Sequence, residues 1–234
     1  IDASNPSAPM EVGFFDPGSF VANDLRVVDE LAYVADGARN LRIIDVADPT
    51  APVELSSQPL DGAPRAIDHS GNHVFLITSR ELWVMDVLDP EDPVSIARMD
   101  HDYGQDITVK EGFAYIAATQ AGLTIIDVSE PNNPLTVGWH STAGNAYGVA
   151  VSNGMAYVAM LSKGLAVLDV SSPTDPFEAG ELATAGSAGQ LSIADCRVYI
   201  ADGSTGVSVS RLCAPELCDT IEFGGAADWT EHPD

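Results

Sequence analysis

An aspartate recurs at nearly regular spacing along this chain, each time at the end of a short aliphatic run. The four copies are Asp45, Asp86, Asp127 and Asp169, and the steps between them are 41, 41 and 42 residues. Carboxylates are natural ligands for hard cations such as calcium, but no D-x-D-x-D-G spacing occurs in the sequence. An aspartate can instead hydrogen-bond the backbone of its own turn. We therefore predict a structural role for this residue and expect no cofactor or metal, since calcium has no supporting motif.

Motifs for other catalytic chemistry are missing from the sequence. It has no H-E-x-x-H zinc signature, no G-x-S-x-G nucleophile elbow and no glycine-rich phosphate loop after a strand. We therefore expect that the chain is not an enzyme. An enzyme whose site uses Asp24, Asp106 or His101 is kept as an alternative hypothesis.

Aromatic and hydrogen-bonding residues stand together in two short segments, His101 to Tyr103 and Trp139 to His140. Such groups suit recognition of a protein or a glycan, because the rings offer an apolar face and the polar groups fix orientation. We predict that these segments form inter-blade loops and a binding surface. The residues predicted to bind there are His101, Asp102, Tyr103, Trp139 and His140.

The chain is strongly acidic. Its 234 residues include 35 Asp and Glu against 10 Lys and Arg, a formal net charge of −25. Such a surface repels nucleic acid and anionic membranes, so we expect neither as a partner. No stretch approaches the roughly 20 apolar residues of a membrane-spanning helix. The chain opens at Ile1 inside a repeat, which we interpret as a processed or excised segment.

The cysteines bear on the cellular compartment. Cys213 and Cys218 are close in sequence, and we predict a disulfide between them, with two free thiols as the alternative. A disulfide forms in an oxidising environment, which indicates an extracellular, cell-surface or periplasmic location. Cys196 falls in a predicted hairpin turn and is expected to be free or poorly reactive.

A repeat of about 42 residues defines the elements that position these residues. The phrases LRIIDV, LWVMDV, LTIIDV and LAVLDV end in the repeated aspartate, and a degenerate copy starts at Gly206. An aromatic precedes each copy, at Tyr33, Phe75, Tyr115, Tyr157 and Tyr199. Each unit reads as four short strands, with a tight hairpin at Asn153 and Gly154. The sequence predicts an all-β propeller of about five four-stranded blades.

The predicted propeller spans residues 16–223, followed by a polar tail at 224–234. Residues 1–15 are expected to supply the outermost strand of the fifth blade and so close the ring. In the alternative, residues 218–223 fill that place and residues 1–15 are the remnant of a preceding blade. Alignment on the repeated aromatic also places two consecutive positions of every unit around the mouth of the central channel. Of the residues at these two positions, Arg65, Asp106, Tyr147 and Gln190 are added to the predicted binding residues.

The LRIIDV, LTIIDV and LAVLDV phrases resemble the LVIVD-repeat family of β-propellers, and the resemblance extends to about Pro215. It implies a propeller fold and the surface or secreted setting in which many members are found, but it implies little about the ligand. We expect an interaction or scaffold module that binds a protein or glycan partner through one propeller face. A lectin-like propeller with one pocket per blade is the second hypothesis, although Trp and His do not recur once per unit. The oligomeric state is left open.

Overall fold

The computed structural model describes residues 1, 3–5, 7–16, 18 and 21–211. Within them, 19 strands form five antiparallel sheets in which neighbours along the chain are neighbours in the sheet. Blade 1 contains β1 (Ala22–Val28), β2 (Leu31–Asp36), β3 (Asn40–Asp45) and β4 (Val53–Pro59). Blade 2 contains β5 (Ala66–Ser70), β6 (His73–Ile77), β7 (Glu81–Asp86) and β8 (Val94–Asp100). Blade 3 contains β9 (Asp106–Lys110), β10 (Phe113–Ala117), β11 (Leu123–Asp127) and β12 (Leu135–His140).

Blade 4 contains β13 (Gly148–Ser152), β14 (Met155–Ala159), β15 (Leu165–Asp169) and β16 (Phe177–Leu182). Blade 5 contains β17 (Leu191–Ala194), β18 (Arg197–Ala201) and β19 (Val207–Arg211), with a 3-10 turn at Gly203–Thr205. The innermost strands β1, β5, β9, β13 and β17 pack side by side in chain order. The prediction of a five-bladed all-β propeller is confirmed. In the described residues we find no helix with the length and apolarity that a membrane crossing requires.

The first two strands of each blade are joined by a two-residue hairpin. Asn153 and Gly154 have φ angles of 52° and 71°, which is the left-handed pair that a type I′ turn needs. The same place in blade 5 is taken by Asp195 and Cys196, with φ angles of 48° and 56°. The predicted hairpin position of Cys196 is therefore confirmed, and its side chain is exposed and free. Cys213 and Cys218 lie outside the described residues, so their disulfide stays a prediction.

The repeated aspartate closes the turn that follows its strand. Asp127 Oδ1 accepts a hydrogen bond from the Ser129 backbone N–H at 2.9 Å, and Asp45 does the same with Ala47. Asp86 and Asp169 repeat the arrangement with the residue two positions on. The predicted structural role is confirmed.

Aliphatic side chains of the innermost strands fill the spaces between blades. Ile67, Ile107 and Val149 are at most 2% exposed, and each packs against the preceding blade. Leu25, at the equivalent place in blade 1, is 48% exposed, and Leu191 is half-buried. Leu25 is therefore not buried between blades as its counterparts in blades 2, 3 and 4 are. Within residues 21–211, β17 does not pack closely on β1, so in the described part of the chain this face of blade 1 lacks the neighbour that covers the other blades.

Residues 10–15 lie against the outer part of blade 1. Phe15 packs on buried residues of β2 and β3. A Cβ on Gly13 would lie 2.1 Å from the Pro49 carbonyl oxygen, so only glycine permits this approach. In β12 a Cβ on Gly138 would lie 2.0 Å from the equivalent carbonyl oxygen of Pro173. Residues 10–15 thus sit beside blade 1 as an outermost strand sits beside the next blade, and their pairing with β19 stays a prediction.

Candidate functional site

The strand order places all the blade-to-blade connections at one end of the strands. In the described residues these connections are 60–65, 101–105, 141–147 and 183–190, and we call this end the loop face. The opposite end carries the two-residue hairpins and the turns that follow the repeated aspartate. Two clusters of predicted binding residues lie on the loop face, one at the channel mouth and one at the outer edge.

Carboxylates at the channel mouth connect adjacent blades. Asp24 Oδ2 accepts a hydrogen bond from the Ile67 backbone N–H at 3.0 Å, and Asp106 Oδ2 accepts one from Val149 at 2.9 Å. Blade 2 has Ala66 at this position, and Asp68 Oδ2 accepts from the Val109 N–H instead, at 2.6 Å. The two aspartates considered as catalytic groups are therefore engaged in backbone hydrogen bonds between blades.

Burial shifts the pKa of one of these aspartates. Asp106 is 4% exposed, and this burial raises its pKa to about 7. The backbone N–H groups of Val149 and Ile107 act in the opposite direction, because they favour the carboxylate. Arg26 lies nearby, paired with Asp24 at 3.1 Å and with Asp68 at 3.2 Å. The charged side chains at the channel mouth therefore bond to one another and to backbone N–H groups of the next blade.

Two fully buried aspartates fix the connections of the loop face, and sequence reasoning missed both. Asp36 accepts hydrogen bonds from the backbone N–H groups of Val21 and Ala38 and from Arg42. Although burial opposes the charged form, these bonds lower the pKa of Asp36. Asp202 holds the 184–186 segment through Thr184 Oγ1 and the Gly186 N–H. A signal for both was present in the sequence: of the five second-strand phrases, LAYVAD and RVYIAD end in aspartate and the other three do not.

Arg65, Tyr103 and Gln105 form a cluster at the channel mouth. The Arg65 guanidinium carbon lies 4.6 Å from the centroid of the Tyr103 ring, and Arg65 also donates to the Tyr103 hydroxyl. A further bond runs from Arg65 to Gln105 Oε1 at 3.1 Å. Tyr103 is 43% exposed and Tyr147, on the next connection, is 40% exposed. Gln190 is exposed on the connection into blade 5. The structure therefore presents two aromatic rings to solvent here.

The second cluster surrounds an open groove of about 390 Å³ at the outer edge, between blades 2 and 3. We call it the outer groove; it is lined by Asp100, His101, Asp102, Thr124, Thr136 and Trp139. Trp139 is 66% exposed. Burial lowers the pKa of His101, so its imidazole is neutral at pH 7. The predicted residues His101, Asp102 and Trp139 are therefore brought together.

The prediction that Trp139 and His140 lie in a loop is wrong. Both belong to β12, where Thr124 is opposite Trp139 and Leu123 is opposite His140. The strand continues because Leu123 and Thr124 at the start of β11 supply a partner for each. His140 is half-buried and does not line the outer groove.

Metal ligation has no support in the described part of the chain, where no three His, Cys, Asp or Glu side chains gather closely enough to hold an ion. His69 and His73 are spaced as H-x-x-x-H, but they lie on opposite strands of the β5–β6 hairpin. The His69 ring stacks on Tyr33 of blade 1, with ring centroids 5.2 Å apart. This contact assigns His69 a packing role between blades.

Fold and repeat together define a β-propeller built from LVIVD-type units. The LVIVD repeat model matches residues 1–16, 20–58, 103–142 and 143–184, more than half of the chain. The chain therefore belongs to the LVIVD-repeat family. No curated protein matches it.

Solved structures share the fold at low sequence identity. The crystal structure of a functionally unknown protein from Desulfotomaculum acetoxidans DSM 771 is 15% identical, with a TM-score of 0.75 over 88% of this chain and 68% of that one. The computationally designed Ika8 protein is 16% identical, with a TM-score of 0.60 over 80% of this chain. This chain covers 57% of Ika8, and 92% of the designed Ika4 protein, which has a TM-score of 0.50. These similarities show the fold alone.

Proposed function

We propose that this chain is a non-catalytic interaction module of a secreted or cell-surface protein. It binds a protein or glycan partner through the loop face. The observation that carries the proposal is the exposure of Tyr103, Trp139 and Tyr147 on that one face. Exposed rings beside polar groups are the residues that most often dominate binding energy, because they give large contact area for little lost rotamer freedom.

The engagement of the acidic groups supports binding over catalysis. Asp24 and Asp106 use their carboxylate oxygens on backbone N–H groups of their own and the next blade. A general acid or base must instead reach a proton on the substrate. Among the residues that line the outer groove with His101, none is a serine or a cysteine that could act as a nucleophile. These residues therefore act in our proposal as scaffold and binding groups.

The proposal is tested by selecting ligands for the chain and then mapping which residues they contact. The wild-type chain is screened against a displayed peptide library and an immobilised glycan array. Each ligand obtained is then titrated calorimetrically into the Tyr103→Ala, Trp139→Ala double variant. We expect binding to weaken by about 1–4 kcal/mol, as for interface aromatics elsewhere.

The matched control is Phe177→Ala. Phe177 is also an aromatic on an outermost strand and is 56% exposed, but it lies at the end of β16 away from the loop face. Its removal should leave binding unchanged. The proposal is contradicted if the double variant binds normally while Phe177→Ala loses binding.

A further inference from the structure

Blades 2 and 3 each carry one tryptophan at the same level of the sheet, but on different strands. Trp83 lies opposite Arg98 in blade 2, and Thr124 lies opposite Trp139 in blade 3. Arg98 and Trp139 therefore occupy the same place in the outermost strands β8 and β12. Asp61 and Asp102 are also equivalent, since each stands two residues beyond the end of the preceding outermost strand.

In blade 2 the chain fills this place with its own cation. The guanidinium carbon of Arg98 lies 4.3 Å from the centroid of the Trp83 ring. The same guanidinium pairs with the Asp61 carboxylate. A cation placed over an aromatic face and beside a carboxylate gains from the ring quadrupole and from Coulomb attraction together. Blade 2 thus contains a complete aromatic, carboxylate and guanidinium cluster.

In blade 3 the aromatic ring and the carboxylates are present, but no Lys or Arg lines the outer groove. Trp139 stands exposed on one side, and Asp100 and Asp102 line the groove with it. Burial lowers the pKa of His101, which favours its neutral form, so the imidazole is a poor source of positive charge in the groove at neutral pH. The groove therefore has the two kinds of group that hold a cation in blade 2, an aromatic ring and carboxylates, and no cation of its own among its lining residues. Its ring, Trp139, stands at the position of Arg98, and Thr124 takes the position of the Trp83 ring.

We propose that the outer groove binds the guanidinium or ammonium group of a basic side chain on a protein partner. The indole of Trp139 would stack on the cation and Asp102, with Asp100 beside it, would supply the counter-charge, as Trp83 and Asp61 do for Arg98. The net charge of −25 favours the same class of partner, because it attracts basic segments over long distances at low ionic strength. This inference rests on the proposed function and names the partner chemistry.

The first experiment uses the short peptide acetyl-Gly-Arg-Gly-amide as a probe. Its control is the same peptide with citrulline in place of arginine, which has nearly the same shape and no charge. The Trp139 indole N–H is followed by NMR during each titration. We expect a saturable shift with the arginine peptide and none with citrulline. Asp102→Asn should weaken binding by roughly two- to fivefold, the change expected for the loss of one exposed ion pair.

The second experiment changes the number of sites by exchanging the two blades' residues. Arg98→Ala should uncover Trp83 and Asp61 and raise the number of bound arginine peptides from one to two. Adding Asp61→Asn to Arg98→Ala should weaken that second site. Conversely, Thr124→Trp combined with Trp139→Arg should fill the outer groove with an internal cation and abolish binding at blade 3. Each variant is first checked for an unchanged thermal unfolding midpoint. If the paired exchange does not fold, Trp139→Phe in the otherwise wild-type chain replaces it, and the arginine peptide should bind this variant more weakly because phenylalanine attracts a cation less than tryptophan does.

The outcomes separate this inference from the proposed function. Equal binding of the arginine and citrulline peptides, or no binding of either, overturns the cation site. A neutral oligosaccharide that shifts Trp139 where the arginine peptide does not would also overturn it, while leaving loop-face binding intact. Selected ligands that bind only away from the loop face would contradict the proposed function, whatever the arginine peptide does at Trp139.

Discussion

Replacing Val149 with aspartate tests how the blades are held together. Val149 is 2% exposed between blades 3 and 4, and its backbone N–H already donates to Asp106. The substitution removes the burial of a valine side chain, about 1.5–3 kcal/mol. It also forces a second carboxyl group into an apolar site near a buried aspartate. We expect a total loss of about 3–5 kcal/mol in the free energy of unfolding.

The assay is urea unfolding followed by circular dichroism. For a slope of about 3 kcal/mol per molar urea, the loss moves the midpoint down by at least about 1 M. The matched control is Leu25→Asp, the same substitution at the equivalent position of blade 1. Because Leu25 is 48% exposed, this variant should lose less than about 1 kcal/mol.

Two results would contradict this difference in packing between blades 1 and 4. A midpoint that barely moves in Val149→Asp would show that the innermost strand does not face a packed core. A Leu25→Asp variant as unstable as Val149→Asp would show that blade 1 is covered in solution as completely as the other blades.

Three further predictions concern single groups. Because burial raises the pKa of Asp106 to about 7, well above its unfolded value near 3.9, its stabilising effect is complete below about pH 4. That effect is lost as the pH rises through 7, so Asp106→Asn should flatten the fall in unfolding free energy over this range in urea titrations. Asp127→Ala should cost about 1 kcal/mol by thermal unfolding, because the Ser129 N–H loses its acceptor. Mass spectrometry of a non-reduced digest should show Cys213 joined to Cys218, and a Cys196 bridge to either would contradict the pairing.

The blade architecture was predictable from the sequence because it depends on local signals that recur. Hairpins such as Asn153 and Gly154 need only two residues of the right conformational preference. The turn at Asp127 needs an acceptor two residues before its donor. Both kinds of signal lie within a few residues, and each is repeated in several blades, so the pattern stands out from chance.

The contacts between blades were not predictable in the same way. Asp106 and the Val149 N–H that it accepts from are 43 residues apart, and the aspartate is missing from blade 2. Trp139 and His140 were assigned to an inter-blade loop, whereas Thr124, 15 residues earlier in the chain, supplies Trp139 with a strand partner. Leu25 is exposed because β17, the innermost strand of blade 5, does not pack closely on β1 in the described part of the chain. The cation cluster at Arg98 became visible only when strand register showed which residues are equivalent.

Hydrogen–deuterium exchange of the chain, measured with and without a selected ligand, shows directly whether the loop face is the binding surface. We predict slower exchange in peptides that cover residues 101–105 and 135–147, which carry Tyr103, Trp139 and Tyr147. Peptides that cover the opposite turns, at 87–93 and 170–176, should exchange at unchanged rates. Protection confined to those opposite turns would contradict the claim that the loop face is the binding surface.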